Sequence, residues 1–487
     1  MAGIEYTTRS IPVSYKQLNG GLNTTSGPLG LEENESPDLQ NVDFDKYGSI
    51  LKRNGYTALN TSAISADKEV TGLYWFELST DVRELVCVCN SAIYKMDALD
   101  GTWDAITGGL TVSITHLVDF DTFDDLMLAT DNTNVPFKWS GAGNCALMTV
   151  PTGLSRAKFV KNFQNYVFLA NVTVSGTTRK SRIYWSTIKD PDTWGDADFI
   201  DIAPNDGQEI TGFKILGDRL VVFKNRSVYN VFFTGDASIP FVVYKSNSSV
   251  GCASHWSIQE IDNGLVFLSY DGLYYYDGSS SYKISDRITS TIIGYVTTYF
   301  GDAVSMVHRS KSRYYLGITG SSTTHNKVLV WDFFHNSFSL YTGINAASMA
   351  IVWVDGVTER PYFGDYKGFV YRMDTGLDDY PANVKTAIDA YYDTNWKSFD
   401  DIVDKKGVNH AVVYYQTKTA TLSFSYYYDL STSAQGTISI VTTTGNIYRP
   451  DMTGRGRVVK YRFANSTVSE TFRVDGLGLL PHLESNR

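Results

Sequence analysis

From about residue 70 onward, short apolar runs alternate with polar turns, and the alternation repeats along the chain. A typical unit has an alternating strand, a strongly apolar strand and an aromatic strand, as in residues 71–76, 84–89 and 91–96. Period-two alternation predicts half-buried β-strands, and the short Gly, Asn and Asp turns between them predict antiparallel pairing. This part of the chain is therefore predicted to consist of successive antiparallel sheets.

The units recur roughly every 45–50 residues, which is the size of a four-stranded propeller blade. Six or seven such units fit into residues 61–382. A blade cannot bury both of its faces alone, whereas blades arranged in a ring cover one another. A ring also needs closure, and we expect residues 1–60 to supply an extended segment and a hairpin, near residues 42–57, that completes the last blade.

The pattern changes after about residue 383. Alternating strands separated by Gly turns are typical of a β-sandwich of about 100 residues. We predict these strands at residues 410–415, 420–428, 437–441, 458–463 and 471–475. The predicted fold class is all-β: a six- to seven-bladed irregular β-propeller (61–382) with a C-terminal β-sandwich domain (383–487).

Composition agrees with this prediction and excludes several classes of protein. Aromatic residues make up 14% of the 487 residues and charged residues 19%, which argues against disorder and against a helical bundle. The formal net charge of -10 argues against a general nucleic-acid binder, which needs a basic surface. No signal peptide and no long apolar run is recognisable, so we expect a soluble protein made in the cytosol.

Chemical motifs point away from catalysis. The nucleophile elbow, the P-loop, the HExxH zinc motif and the dinucleotide-binding GxGxxG are absent from the sequence, so we expect no enzyme, no cofactor and no metal site. Asp43 and Asp45 share one face of a predicted strand, but two carboxylates supply too few oxygens for calcium, which favours a role in the hairpin.

One cluster of basic residues lies near the C-terminus, and it is the candidate docking site. It is either a surface for an acidic partner or a nucleic-acid backbone, or a solvated turn and strand edge protected by charge. Its members are Arg449, Arg455, Arg457, Lys460 and Arg462.

Several segments occur in an order that resembles a known family. They are residues 41–44 with 48–55, residues 182–186 with 190–194, residues 220–229, and residues 251–252 with 264–274. Over most of residues 40–380 this order is similar to the tail hub, or packaged-DNA-stabilisation, proteins of short-tailed bacteriophages.

The resemblance implies a structural protein of the virion tail, assembled in the host cytoplasm. It would form a ring, expected to be a hexamer, below the portal and its adaptor proteins. This nozzle would line the DNA exit channel, let genomic DNA pass without specific binding, and anchor fibres, spikes or a plug. One alternative is a glycan-binding or glycan-cleaving propeller acting on the host surface. Another is a scaffold of the WD-repeat kind, which the single Trp331-Asp332 ending disfavours.

Overall fold

The computed structural model describes residues 12–97, 99–416, 421–441 and 446–483. These residues are nearly all in strands and turns. The helical elements are one α-helix of a single turn and five short 3₁₀ segments within the described residues. They are α1 (Thr289–Ile293) and the 3₁₀ segments His255–Ser257, Asp286–Ile288, Thr297–Asp302, Arg309–Lys311 and Pro381–Asn383.

Seven short strands precede the first blade. They are β1 (Val13–Tyr15), β2 (Gly21–Leu22), β3 (Glu35–Ser36), β4 (Leu39–Gln40), β5 (Val42–Phe44), β6 (Ile50–Lys52) and β7 (Tyr56–Ala58). We call residues 12–55 the N-terminal segment.

Seven four-stranded antiparallel sheets follow, and they are the blades of a β-propeller. The first strands of successive blades lie side by side around the centre, and that of blade 7 contacts that of blade 1, so the ring is closed. Blade 1 is β8 (Val70–Glu77), β9 (Arg83–Cys89), β10 (Ala92–Asp97) and β11 (Asp104–Ala105); blade 2 is β12 (Asp119–Phe123), β13 (Leu126–Thr130), β14 (Phe137–Trp139) and β15 (Ala146–Leu147). Blade 3 is β16 (Leu154–Phe163), β17 (Tyr166–Val174), β18 (Thr177–Trp185) and β19 (Phe199–Asp201); blade 4 is β20 (Ile210–Leu216), β21 (Arg219–Lys224), β22 (Val228–Phe233) and β23 (Phe241–Lys245). Blade 5 is β24 (Gln259–Ile261), β25 (Gly264–Ser269), β26 (Gly272–Tyr276) and β27 (Ser281–Lys283); blade 6 is β28 (Val304–His308), β29 (Arg313–Ile318), β30 (Lys327–Asp332) and β31 (Ser337–Tyr341); blade 7 is β32 (Ser348–Trp353), β33 (Glu359–Gly364), β34 (Val370–Met373) and β7.

Aromatic rings fill the spaces between neighbouring blades. Tyr74 of blade 1 stacks on Phe120 of blade 2 with ring centroids 5.2 Å apart. Phe223 of blade 4 meets Tyr276 of blade 5 edge to face at 6.1 Å. Such pairs add to the hydrophobic stabilisation of the buried area. The aromatic strands of the sequence therefore hold the ring together.

The segment predicted to close the propeller divides into two parts. Strand β7 completes blade 7, with Thr57 opposite Arg372 on β34. The hairpin of β5 and β6, in contrast, pairs with β41 of the C-terminal domain. Its apolar side chains, Val42 and Ile50 among them, are fully buried in a core that the C-terminal domain shares. Because these side chains are buried in the shared core, the hairpin packs against the C-terminal domain and does not complete the blade.

The C-terminal domain is a β-sandwich, as predicted, but the N-terminal segment contributes four of its strands. Its own strands are β35 (Ala390–Asp393), β36 (Lys406–Gln416), β37 (Thr421–Tyr428), β38 (Gly436–Val441), β39 (Ile447–Tyr448), β40 (Val459–Asn465) and β41 (Arg473–Leu483). One sheet has the order β39-β36-β41-β6-β5, with β1 also on β41, and the other has the order β38-β37-β40-β35-β4. One apolar core runs from blades 5 and 6 into the sandwich, because the N-terminal segment lies between them.

Candidate functional site

Two members of the predicted docking cluster are engaged in ion pairs within the sandwich. Lys460 and Arg462 project from β40 toward Asp393 of β35, whose side chain is fully buried. Arg462 places Nη2 2.9 Å from Asp393 Oδ2 and 3.1 Å from Asp38 Oδ2, with its guanidinium 4.3 Å from the ring centroid of Tyr391. Burial opposes its charge, but the hydrogen bonds and charge of Asp393 outweigh burial and raise the pKa of Arg462. These two cations stabilise the sandwich, and their charge is compensated internally.

The other three members, Arg449, Arg455 and Arg457, are exposed on the connection between β39 and β40. The backbone N–H of Arg457 donates to Asp429 Oδ1 at 2.6 Å, and its Nε donates to the carbonyl oxygen of Val403 at 3.1 Å. The docking prediction therefore remains for these three, at one end of the sandwich.

Arg53 lies at the junction between the propeller and the sandwich, and its guanidinium is almost completely buried. It pairs with Asp379 through two bonds, Nη1 to Oδ1 at 2.9 Å and Nη2 to Oδ2 at 2.6 Å. Nη2 also donates to the carbonyl oxygen of Thr342, and Nε donates to Asn41 Oδ1 at 2.8 Å. This one side chain thus connects the N-terminal segment, the end of blade 6 and the chain that leaves blade 7.

The hairpin of β5 and β6 carries further charged side chains that contact both lobes of the molecule, the propeller and the sandwich. Asp43 accepts from Arg313 of blade 6 at 2.8 Å. Asp45 pairs with Arg473 of the sandwich at 2.7 Å, and Lys52 donates to Asn465 Oδ1 at 2.7 Å. The carboxylates of Asp43 and Asp45, which were considered as calcium ligands, therefore form ion pairs with arginines. Burial lowers the pKa of Lys52 to about 8.

The centre of the propeller encloses a cavity of about 180 Å³. The backbone N–H of Phe213 donates to His255 Nδ1 at 3.4 Å, so Nε2 carries the proton and donates to Asp119 Oδ1 at 2.9 Å. The other oxygen of Asp119 accepts from the N–H of Val160 at 2.9 Å. This carboxylate–imidazole pair joins blades 2, 3 and 4 to the 3₁₀ turn that leads into blade 5.

Lys214 of blade 4 lines the same cavity, and its side chain is half-buried. Its Nζ makes no ion pair with the described residues. Burial, and then the charge of Lys161, lower the pKa of Lys214 to about 8 against the attraction of Asp121.

A second cavity, of about 130 Å³, opens at one end of the ring, and we call it the mouth pocket. Glu69, His116 and Asp302 line it, and each lies just before the first strand of a blade, at the end where those strands begin. Burial, and then the charge of Asp302, raises the pKa of Glu69 to about 7. Thr319 also lines the pocket, and its buried hydroxyl has no hydrogen-bond partner among the described residues. No motif in the sequence marks these residues, because they come from separate loops.

The part of the chain that the structure describes contains no group of three or more His, Cys, Asp or Glu residues arranged to hold a metal ion. Its helices include none that is long and apolar enough to cross a membrane. The four cysteines are buried as free thiols.

Comparison with known proteins gives a likeness of fold alone. No family model and no curated protein matches the chain. The computationally designed Ika8 protein is 11% identical over 65% of this chain and 99% of its own, with a TM-score of 0.40. YCF48 from Cyanidioschyzon merolae is 10% identical over 66% of this chain and 98% of its own (TM-score 0.41), and PorZ of Porphyromonas gingivalis is 11% identical over 73% and 44% (TM-score 0.39). The chain is thus similar to proteins of different kinds, and its seven sheets themselves define the propeller.

Proposed function

We propose that the protein is a structural subunit of a bacteriophage tail hub, or nozzle. In this role copies of the chain form a ring, a hexamer, in the virion tail below the portal and its adaptor proteins. The ring surrounds the DNA exit channel and anchors fibres, spikes or a plug. It is assembled in the host cytoplasm and has no catalytic step.

The observation that carries the proposal is the use of the N-terminal segment to connect the two lobes. Strands β1, β5 and β6 extend one sandwich sheet and β4 extends the other, and the chain then completes blade 7. Arg53 and Asp43 add buried or half-buried ion pairs to the propeller side of this junction. A subunit of a channel under load must keep the orientation of its lobes, and such a junction resists hinge motion.

The segment that carries this junction is also the one that supports the family resemblance. Lys52 and Arg53 are the basic residues of residues 48–55, and both are buried with partners in other lobes. The charge of the chain, -10, agrees with a conduit, since phosphates are repelled by an acidic surface and slide past it.

Purified virions test the proposal. We expect mass spectrometry to find the chain in the particles at a fixed ratio to the portal, and electron microscopy to show a ring of copies around the tail axis. Absence of the chain from particles, or a monomer bound on the outside of the capsid, contradicts the proposal.

The exposed basic residues provide a sharper test of docking. Reversing Arg449 and Arg457 to Glu is expected to reduce incorporation of the chain into particles, because attraction to an acidic partner becomes repulsion. Reversing Arg179 and Lys180 on blade 3, which are also exposed, is the matched control and should leave incorporation unchanged. If both variants were incorporated equally, Arg449 and Arg457 would not be part of the docking interface.

A glycan-binding or glycan-cleaving propeller is the second candidate function. It requires carboxylates and aromatic rings in one central funnel, and the mouth pocket contains Glu69, Asp302, Tyr299 and Tyr366. Turnover or retention of host surface polysaccharide by the purified chain, lost in Glu69→Gln, would favour it. If the purified chain neither cleaves nor retains the polysaccharide, the result favours the structural role in the tail.

A further inference from the structure

The mouth pocket combines acceptor groups from four parts of the ring. Glu69 precedes blade 1, Asp302 precedes blade 6, Thr319 follows β29, and His325 precedes β30. Neither carboxylate makes an ion pair or side-chain hydrogen bond with the described residues, in contrast to the many carboxylates of this chain that do. Two such groups without a counter-charge repel each other, which agrees with the raised pKa of Glu69.

Two uncharged side chains of the pocket, Thr319 and His325, also have acceptor atoms to which no described group donates a hydrogen bond. The residue Thr319 is 1% exposed, yet its Oγ1 finds no partner among the described residues. His325 is buried, which lowers its pKa, and its Nδ1 lies 2.7 Å from the carbonyl oxygen of Ala346. Nδ1 must therefore carry the proton, which leaves Nε2 as an acceptor. A buried hydroxyl without a partner costs free energy that a bound donor recovers.

We propose that the mouth pocket binds a primary ammonium group at the end of a flexible aliphatic chain. Such a group carries three donors and a compact positive charge, which suits two unpaired carboxylates and a free hydroxyl. The pocket, at about 130 Å³, admits the ammonium and part of its stem but no bulky ligand. Tyr299 and Tyr366 line it, and aromatic faces attract cations.

Two sources supply this chemistry, a free polyamine and a lysine side chain of another protein. Neither source depends on the tail-hub role, so failure of either proposal is distinguishable from failure of the other. A metal ion is a poorer fit, because the described residues of the pocket do not form a cluster of three ligands.

Titration calorimetry on the full chain tests the proposal, with spermidine and a lysine-containing peptide as separate ligands. We expect one of them to bind, and the double variant Glu69→Gln/Asp302→Asn to lose affinity by roughly tenfold or more. The matched control is Asp124→Asn, an exposed carboxylate in the turn between β12 and β13, where Asn tolerates the positive φ of 50°. Binding by spermidine alone identifies a polyamine site, and binding by the peptide alone identifies a protein lysine.

The pH dependence gives a second readout. Because the pKa of Glu69 is about 7, its carboxylate fraction rises strongly from pH 6 to pH 8, and affinity should rise by roughly tenfold. His116 also lines the pocket, and burial holds the pKa of His325 below its ordinary value. Asp302 is the other carboxylate that faces Glu69.

Three results overturn the proposal. They are the absence of binding by both amines, equal amine binding by the double variant, and binding of a neutral oligosaccharide in place of the amines. Thermal unfolding of each variant, followed by circular dichroism, shows that lost binding is not lost folding. Thr319→Val, which removes the hydroxyl and keeps the shape, should weaken binding without lowering stability.

Discussion

At the scale of single residues, the junction depends on buried charge, and Arg53 is its centre. Arg53→Met leaves Asp379 buried without its partner, which costs about 3–5 kcal/mol. Urea denaturation should show this loss. Arg83→Met, which removes a partly exposed arginine from Glu77 and Asp81, is the control and should cost about 1 kcal/mol or less. Equal costs would mean that the buried pair does not hold the lobes together.

Lys214 gives a prediction of the opposite sign. Its pKa is about 8 in the folded chain and 10.5 in the reference state, so burial disfavours the charged form. The cost is fully present below pH 8 and declines as pH rises toward 10.5, because the unfolded chain then binds more protons. Lys214→Met should therefore stabilise the fold at pH 7 by on the order of 1 kcal/mol, with a smaller gain at pH 10. Urea midpoints across this range measure it. Exposed Lys189→Met is the control, and a gain that grows with pH would contradict the argument.

The basic cluster shows what single residues reveal in advance. On β40, polar and apolar residues alternate, so the sequence places Lys460 and Arg462 on one face of a strand. It does not show that Asp393, 67 residues from Lys460, lies opposite on β35. The charge of a cluster is visible locally, but its partner depends on the pairing of distant strands. The sequence hides the anchoring role of Arg53 for the same reason, because its partner Asp379 lies 326 residues away.

At the scale of elements, the blades were predictable where their strands are apolar. The inner and middle strands alternate or are wholly buried, so their positions follow from the pattern. Two outer strands, Asp104–Ala105 and Ala146–Leu147, lie outside that prediction, because each has only two exposed residues and no apolar face. The four strands that the N-terminal segment adds to the sandwich have two or three residues each, too few for a period.

Gly55 directly precedes the closing strand β7, and its backbone packs closely against the chain that leaves blade 7. Its N–H donates to the carbonyl oxygen of Gly376, and a Cβ there would lie 1.8 Å from the carbonyl oxygen of Asp378. Gly55→Ala must therefore displace backbone and should cost about 3 kcal/mol. Gly27→Ala, with nothing within 4 Å of its Cβ, is the control. Thermal unfolding compares them, and equal midpoints would mean that the closing strand tolerates displacement.

At the scale of the whole molecule, the sandwich and the propeller share one segment of chain and one apolar core. The sequence predicted two domains with a boundary near residue 383, because the strand pattern changes there. It did not reveal the shared core, since the strands that create it come from the opposite end of the chain. We therefore expect the sandwich to unfold together with blades 5 and 6.

Hydrogen exchange at increasing urea concentrations tests this cooperativity. In the full chain, peptides from β41 and from β29 of blade 6 should lose protection at the same concentration. Removing residues 1–55 deprives β41 of β1 and β6 and deprives β35 of β4, while leaving β7 on blade 7. Peptides of the sandwich should then exchange at a lower urea concentration than those of blades 2 to 4, which share no strand with the removed segment. If the truncated sandwich kept its protection, the two lobes would fold independently, and the junction at Arg53 would be a contact between two separately folded domains.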